Sequence, residues 1–273
     1  AVGLSDIADG DLKNTLRRLN CFGITLLRLD IRQESTRHSE VLDAITRYLQ
    51  LGSYNDWDEA ARQAFLVDEL QARRPLIDAA FRDSEHCTPE VAEVLATCEV
   101  IAEQGSEGLG AYVISMATTP SDVMAVMLLQ KIAGVREPMR VVPLFETLDD
   151  LDGAAPTLSA PLALPFYRER VAPGPGVMIG YSDSAKDAGF LGAARVQYRA
   201  QEKLTALFAE NAIPPPLFHV RGGPLYRSGS PPPEALLPQP PRSVDASLRV
   251  HCPAAVDAIH SGRSVDAVVQ STP

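Results

Sequence analysis

Over roughly the first two hundred residues, short runs of almost uninterrupted apolar residues alternate with longer stretches in which apolar positions recur every three or four. Five runs read as strands: Ile24–Ile31, Gly110–Ser115, Val141–Phe145, Val177–Tyr181 and Pro216–Val220. Most of them lack the alternation of a half-exposed strand, so they are expected to be covered on both faces, as parallel strands flanked by helices are. Between the runs, Val41, Ile45, Tyr48 and Leu49 fall on one face of a helix. Asp56 with Glu59 resembles a capping box opening a helix through Phe65 and Leu66. Thr88-Pro89 and Thr119-Pro120 each place a capping hydroxyl before a first-turn proline. Ser184 is expected to cap a long helix through Phe190, Leu204 and Phe208, and Trp57 to anchor packing. Repeated strand–helix units predict a helix-rich α/β fold with a parallel sheet, a pattern that open doubly wound sheets and closed barrels share.

The pattern changes near the end. From Ile213 onward lie 12 of the 22 prolines, a density that suits neither helix nor central strand. Residues 228–273 therefore read as an irregular tail, with weak helical segments near Glu234–Leu237 and Ala254–Ile259.

The net charge of −10 and pI near 5.0 exclude a nucleic-acid partner, which would require a basic face. Cys21, Cys87, Cys98 and Cys252 show no CxxC spacing and, with five scattered histidines, no zinc pattern. No apolar run approaches the roughly 20 residues that span a bilayer, and the N-terminus lacks the basic-then-apolar order of an export signal. A cytoplasmic protein with reduced thiols, and no membrane partner, is expected.

Chemistry concentrates where the apolar runs stop. The first runs into Asp30-Ile31-Arg32-Gln33-Glu34, the third into Glu146-Thr147, the fourth into Ser182-Asp183-Ser184-Ala185-Lys186, and the fifth into His219, Arg221, Gly222 and Gly223. In parallel α/β folds, C-terminal strand ends converge on the active site. Glu146 and Asp183 suit a hard divalent cation. Arg32 and Arg221 offer forked donors for phosphate or carboxylate. Gly222-Gly223 lets backbone approach an anion. Each residue also has a plainer reading: a helix cap for Asp183, a hydrogen-bonded core imidazole for His219. The residues by themselves point to an α/β enzyme acting on a phosphorylated acid.

VMIGYSDSAKDAG (Val177–Gly189) closely resembles the lysine-containing active-site signature of the phosphoenolpyruvate carboxylases. Asn14–His38, Ala111–Val123, Pro143–Leu151 and Leu217–Gly223 resemble the same family in the same order, so the likeness covers about residues 3 to 250. It implies a helix-rich (β/α)8 TIM-type barrel, here partial with about five parallel strands over residues 1–227. It also implies carboxylation of phosphoenolpyruvate by bicarbonate to oxaloacetate and phosphate, Mg²⁺ or Mn²⁺ as cofactor, and a homotetramer in the intact family.

By resemblance, Glu146 and Asp183 match metal ligands, Lys186 the signature lysine, and Arg32 and Arg221 arginines near the transferring phosphoryl group. His219 matches the histidine before the glycine pair, Gly222 and Gly223 the phosphate- or substrate-binding glycines, and Arg227 an arginine associated with a feedback inhibitor. The chain departs from the family's HGRGG pattern at Val220 and carries Pro224 after the glycine pair. The likeness fades over 239–250, and the segment from His251 reads as sequence out of frame. A central piece of such an enzyme is expected; the competing reading is a non-catalytic remnant that at most binds a divalent metal or a phosphorylated acid.

Overall fold

The computed structural model describes residues 8–23, 28–105, 107–165, 167–168, 176–214, 217–220, 239–243 and 249–251. In chain order the main elements are α1 (Lys13–Phe22), β1 (Leu29–Glu34), α2 (Ser35–Tyr48), α3 (Glu59–Gln71), α4 (Pro89–Gln104), β2 (Leu109–Ser115) and α5 (Pro120–Ile132). They continue as β3 (Arg140–Phe145), α6 (Leu148–Ala163), β4 (Val177–Ile179), α7 (Ser182–Glu210), β5 (Leu217–Val220) and β6 (Arg249–His251). All pairings are parallel, and spatial order follows chain order from β1 to β6. A doubly wound sheet would reverse direction at a switch point; this one winds a single way, as the arc of a barrel does.

Alternation sorts the strand residues into two faces. Ala111, Val113, Val142, Leu144, Met178 and Phe218 form one buried cluster. Their neighbours Tyr112, Ile114, Val141, Phe145, Ile179 and Leu217 pack instead with Leu158, Leu204 and Phe208 of α6 and α7. The second set faces the helices, so the first marks the inner face. A flat sheet would hold β1 and β4 about 14 Å apart, three strand spacings. The guanidinium of Arg32 on β1 nevertheless reaches the Met178 sulfur at 3.8 Å, the contact of a sheet that curls inward. A separate core joins α2, α3, α4 and α5 through Val41, Ile45, Leu66, Leu95 and Leu129. Trp57 packs there edge-on against Phe65 and tilted against Tyr54, as an anchor should.

Several expectations are corrected. β1 spans Leu29–Glu34 rather than ending at Ile31, because the ladder with β2 continues through Arg32↔Val113 to Glu34↔Ser115; of the expected run, residues 24–27 lie outside the described set. Arg32 is thus within a strand. The helix cap is Asp58, which accepts from the Ala61 N–H at 2.8 Å, whereas Asp56 ends a short 3₁₀ turn. Glu59, free of that role, accepts from the Ser121 N–H and hydroxyl at 2.9 and 2.7 Å and ties α3 to the start of α5. Ser184 lies inside the first turn of α7 rather than capping it. β6, paired with β5 through Phe218↔Arg249 and Val220↔His251, falls in the segment expected to be irregular. The weak helices expected at 234–237 and 254–259 lie outside the described residues.

His38 is fully buried, with Nε2 2.9 Å from the Tyr112 hydroxyl. Burial pulls its pKa from the ordinary 6.5 down to about 4. The folded protein then binds this proton more weakly than the unfolded chain, so the stabilisation is full above pH 6.5 and is lost as pH falls toward 4. In urea titrations across that window, His38→Gln is expected to remove roughly 3 kcal/mol of the acid-side decline. An unchanged pH slope in the variant would contradict the neutral, buried imidazole.

Candidate functional site

The inner face opens at the C-terminal strand ends onto a cluster of charges. Glu146 follows β3 directly. Its backbone is set by the start of α6: the N–H groups of Glu146 and Thr147 both donate to Asp150 Oδ2, at 3.4 and 3.1 Å, and the Asp150 N–H donates to Thr147 Oγ1 at 3.1 Å. This capping box turns the chain from strand into helix at the point where Glu146 projects.

Asp183 comes from the next strand–helix junction, in the first turn of α7. Two backbone bonds hold the junctions together, the Gly180 N–H to the Phe145 carbonyl and the Ser184 N–H to the Glu146 carbonyl, each at 2.8 Å. A side chain at 180 is sterically excluded: a Cβ there would lie 2.5 Å from the Glu146 Cβ and 3.4 Å from its Oε2. Lys186, one turn along from Asp183, donates to its Oδ1 at 2.7 Å, with the lysine 75% and the aspartate 38% exposed.

The groups sense one another. Burial raises the Glu146 pKa above the usual carboxylate value, the charges of Asp183 and Asp150 raise it further, and Arg32 and Lys186 pull the other way. The Lys186 pKa is raised, chiefly by its hydrogen bond to Asp183. Two carboxylates, a guanidinium and an ammonium thus share one electrostatic neighbourhood. No group of three or more His, Cys, Asp or Glu side chains with metal-site geometry occurs among the described residues. Two oxygen donors fit a Mg²⁺-like ion, which typically takes one or two carboxylates and completes its shell with water and substrate oxygens.

The other sequence candidates are placed differently. His219 is paired in register with Ile179, on the helix-facing side, and is 1% exposed. Its ring nitrogens find no hydrogen-bond partner among the described residues, and burial lowers its pKa to about 4. It therefore does not share the inner face with Arg32. Arg221, Gly222, Gly223 and Arg227 lie outside the described residues. Sequence reasoning passed over Asp150, although Thr147-x-x-Asp150 is a capping-box pattern. It also passed over Gly180 and Gln197, which no spacing rule marks out. Among the described residues no helix is long and apolar enough to cross a membrane.

The chain matches the family model described as phosphoenolpyruvate carboxylase over residues 1–252. It is 87% identical over 250 residues to a phosphoenolpyruvate carboxylase of Alcanivorax borkumensis, covering 92% of this chain and 28% of that one. Similar proteins of the same name from Pseudomonas aeruginosa (55% identical, 92% and 28% covered) and Acinetobacter baumannii (52% identical, 90% and 28% covered) align over 250 residues each. The chain thus spans a little over a quarter of the length of these curated relatives.

Gly180→Ala is expected to lower stability by about 1–3 kcal/mol through overpacking. A denaturation midpoint equal to that of the unsubstituted protein would show that the β3 and β4 ends do not approach as described.

Proposed function

The chain belongs to the phosphoenolpyruvate carboxylase family, and from that membership we propose that it supplies part of the catalytic face on which phosphoenolpyruvate and bicarbonate become oxaloacetate and inorganic phosphate. The observation that carries the proposal is the joining of the β3 and β4 ends, where the Ser184 N–H donates to the Glu146 carbonyl at 2.8 Å and Lys186 to Asp183 at 2.7 Å, with Arg32 reaching the Met178 sulfur of β4 from β1. In the reaction so assigned, a bicarbonate oxygen attacks phosphorus as the bond to the enol oxygen breaks. The resulting carboxyphosphate loses carbon dioxide, to which the enolate carbon adds.

Glu146 and Asp183 would hold Mg²⁺ or Mn²⁺, which when bound neutralises charge on phosphate and enolate oxygens. Arg32, on the inner face, would orient the anionic substrate with its planar fork. Lys186 is free to swing from Asp183, since so exposed an ion pair contributes little, and would bring a positive charge to the transferring group. Arg221 with Gly222 and Gly223 would complete the phosphate cradle, and Arg227 would contribute to an inhibitor site. His219 would act from behind the strand end, as a neutral imidazole. The tail expected from 228 lies outside the described residues except for 239–243 and β6, and the working protein would be a cytoplasmic homo-oligomer. Cys21, Cys87 and Cys98 are free thiols, as a reducing compartment would keep them.

A second reading is a non-catalytic remnant that retains only ion or phosphorylated-acid binding. Pro224 favours it, because it stands where the family has its glycine-rich loop and offers no N–H, whereas Val220 is the last residue of β5, a position valine suits. Manganese binding followed by electron paramagnetic resonance tests what both readings share. Glu146→Gln and Asp183→Asn are each expected to weaken Mn²⁺ at least about tenfold, by analogy with the 10–100-fold effects of even outer partners. Unchanged affinity in both variants would refute the ion pair. A coupled malate dehydrogenase assay then separates the readings. Bicarbonate-dependent oxaloacetate that drops about 10²–10³-fold in Lys186→Ala supports the enzyme, whereas Mn²⁺ binding without oxaloacetate supports the remnant.

A further inference from the structure

α7 is interrupted. Gly189 takes φ 67° and ψ 176°, far from helical values, so residues 182–188 form a short segment set apart from the main helix. That segment carries Asp183 and Lys186, and residues 185–191 are exposed. The helical hydrogen-bond ladder cannot transmit order through a residue with such angles. What places Asp183 opposite Glu146 must therefore come from elsewhere.

Gln197 lies two turns beyond the break, 2% exposed. Its side-chain NH₂ donates one hydrogen to the Gly180 carbonyl at 3.0 Å and one to Ser184 Oγ at 2.9 Å. Ser184 Oγ lies 3.3 Å from the Tyr181 carbonyl, and the Ser184 N–H donates to the Glu146 carbonyl at 2.8 Å. One buried amide thus joins the part of α7 beyond the break to the end of β4 and to the turn bearing Asp183. We propose that Gln197 is a positioning residue that clamps this turn onto the strand ends and so fixes the separation of Glu146 and Asp183. The proposal rests on the reading of those two carboxylates as the ion-binding pair. A core glutamine kept only for its volume would not need both hydrogens matched to acceptors that lie across a helix break from it, one on the strand end and one on the turn.

Hydrogen exchange and Mn²⁺ titration on the same samples test it. Gln197→Leu keeps the bulk and removes both donors; Ser184→Ala removes one acceptor and leaves the Gly180 bond. In Gln197→Leu, amides of 182–188 are expected to exchange about tenfold faster or more, while those of β3 and of 195–210 hold their rates. The Mn²⁺ Kd rises about tenfold in parallel, and Ser184→Ala shifts both quantities less, in the same direction. Unchanged exchange over 182–188 in both variants overturns the proposal, as does a uniform rise across the sheet. If Gln197→Leu does not fold, the Ser184→Ala exchange pattern decides alone. If exchange responds as expected but the unsubstituted protein takes up no Mn²⁺, the clamp stands and the ion reading fails.

Discussion

A methyl group at position 180 would need the space already filled by the Cβ of Glu146, and the site follows from that close approach. With only hydrogen at 180, the end of β4 settles against the end of β3, and Gly180 and Ser184 donate to the carbonyls of Phe145 and Glu146 in turn. The chain then enters α7 after only Gly180 and Tyr181, which leaves Asp183 four residues past the strand, in the first turn of the helix. β4 is only three residues long and meets β3 through two residue pairs, Leu144↔Met178 and Phe145↔Ile179. So short a ladder fixes direction weakly; the contacts just beyond it, and the packing of α6 on α7 behind it, do the rest.

The same approach creates an electrostatic imbalance. Asp183 and Asp150 crowd Glu146 with like charge while burial withholds water from it, and the raised Glu146 pKa reflects both effects, burial foremost. Arg32 offsets part of this from the inner face, held near the Met178 sulfur at 3.8 Å. Asp150 is committed to backbone donors at the head of α6. Glu146 and Asp183 still repel each other, Asp183 being offset only by the exposed Lys186, and a divalent ion held between them would relieve that repulsion.

What the sequence revealed, and what it hid, follow from how local each signal is. β2 and β3 stood out because buried parallel strands are apolar throughout. β1 was displaced because its ladder runs through Asp30, Arg32 and Glu34, residues whose polarity argues against a strand unless the pairing partner is known. Glu146 and Asp183 were visible as carboxylates just past apolar runs. The face a residue occupies was not: His219 lies one residue before the end of its strand, yet on the helix-facing side, a parity that only the register with Ile179 settles. Asp58 displaced Asp56 as a cap by two residues, a shift within the reach of a 3₁₀ turn. Gln197 lay beyond sequence reasoning, because the acceptors that define its role sit 13 and 17 residues away.

The central claim is that Glu146 and Asp183 face one shared space at the strand ends. Crystals soaked in Mn²⁺ and measured at the manganese edge test it most directly. The account predicts an anomalous peak with both carboxylates at about 2.0–2.2 Å, in the range of a Mg²⁺-type site, on the Arg32 side of the sheet. A structure that places the two carboxylates at opposite ends of the strands, or a peak bound by neither, would contradict it.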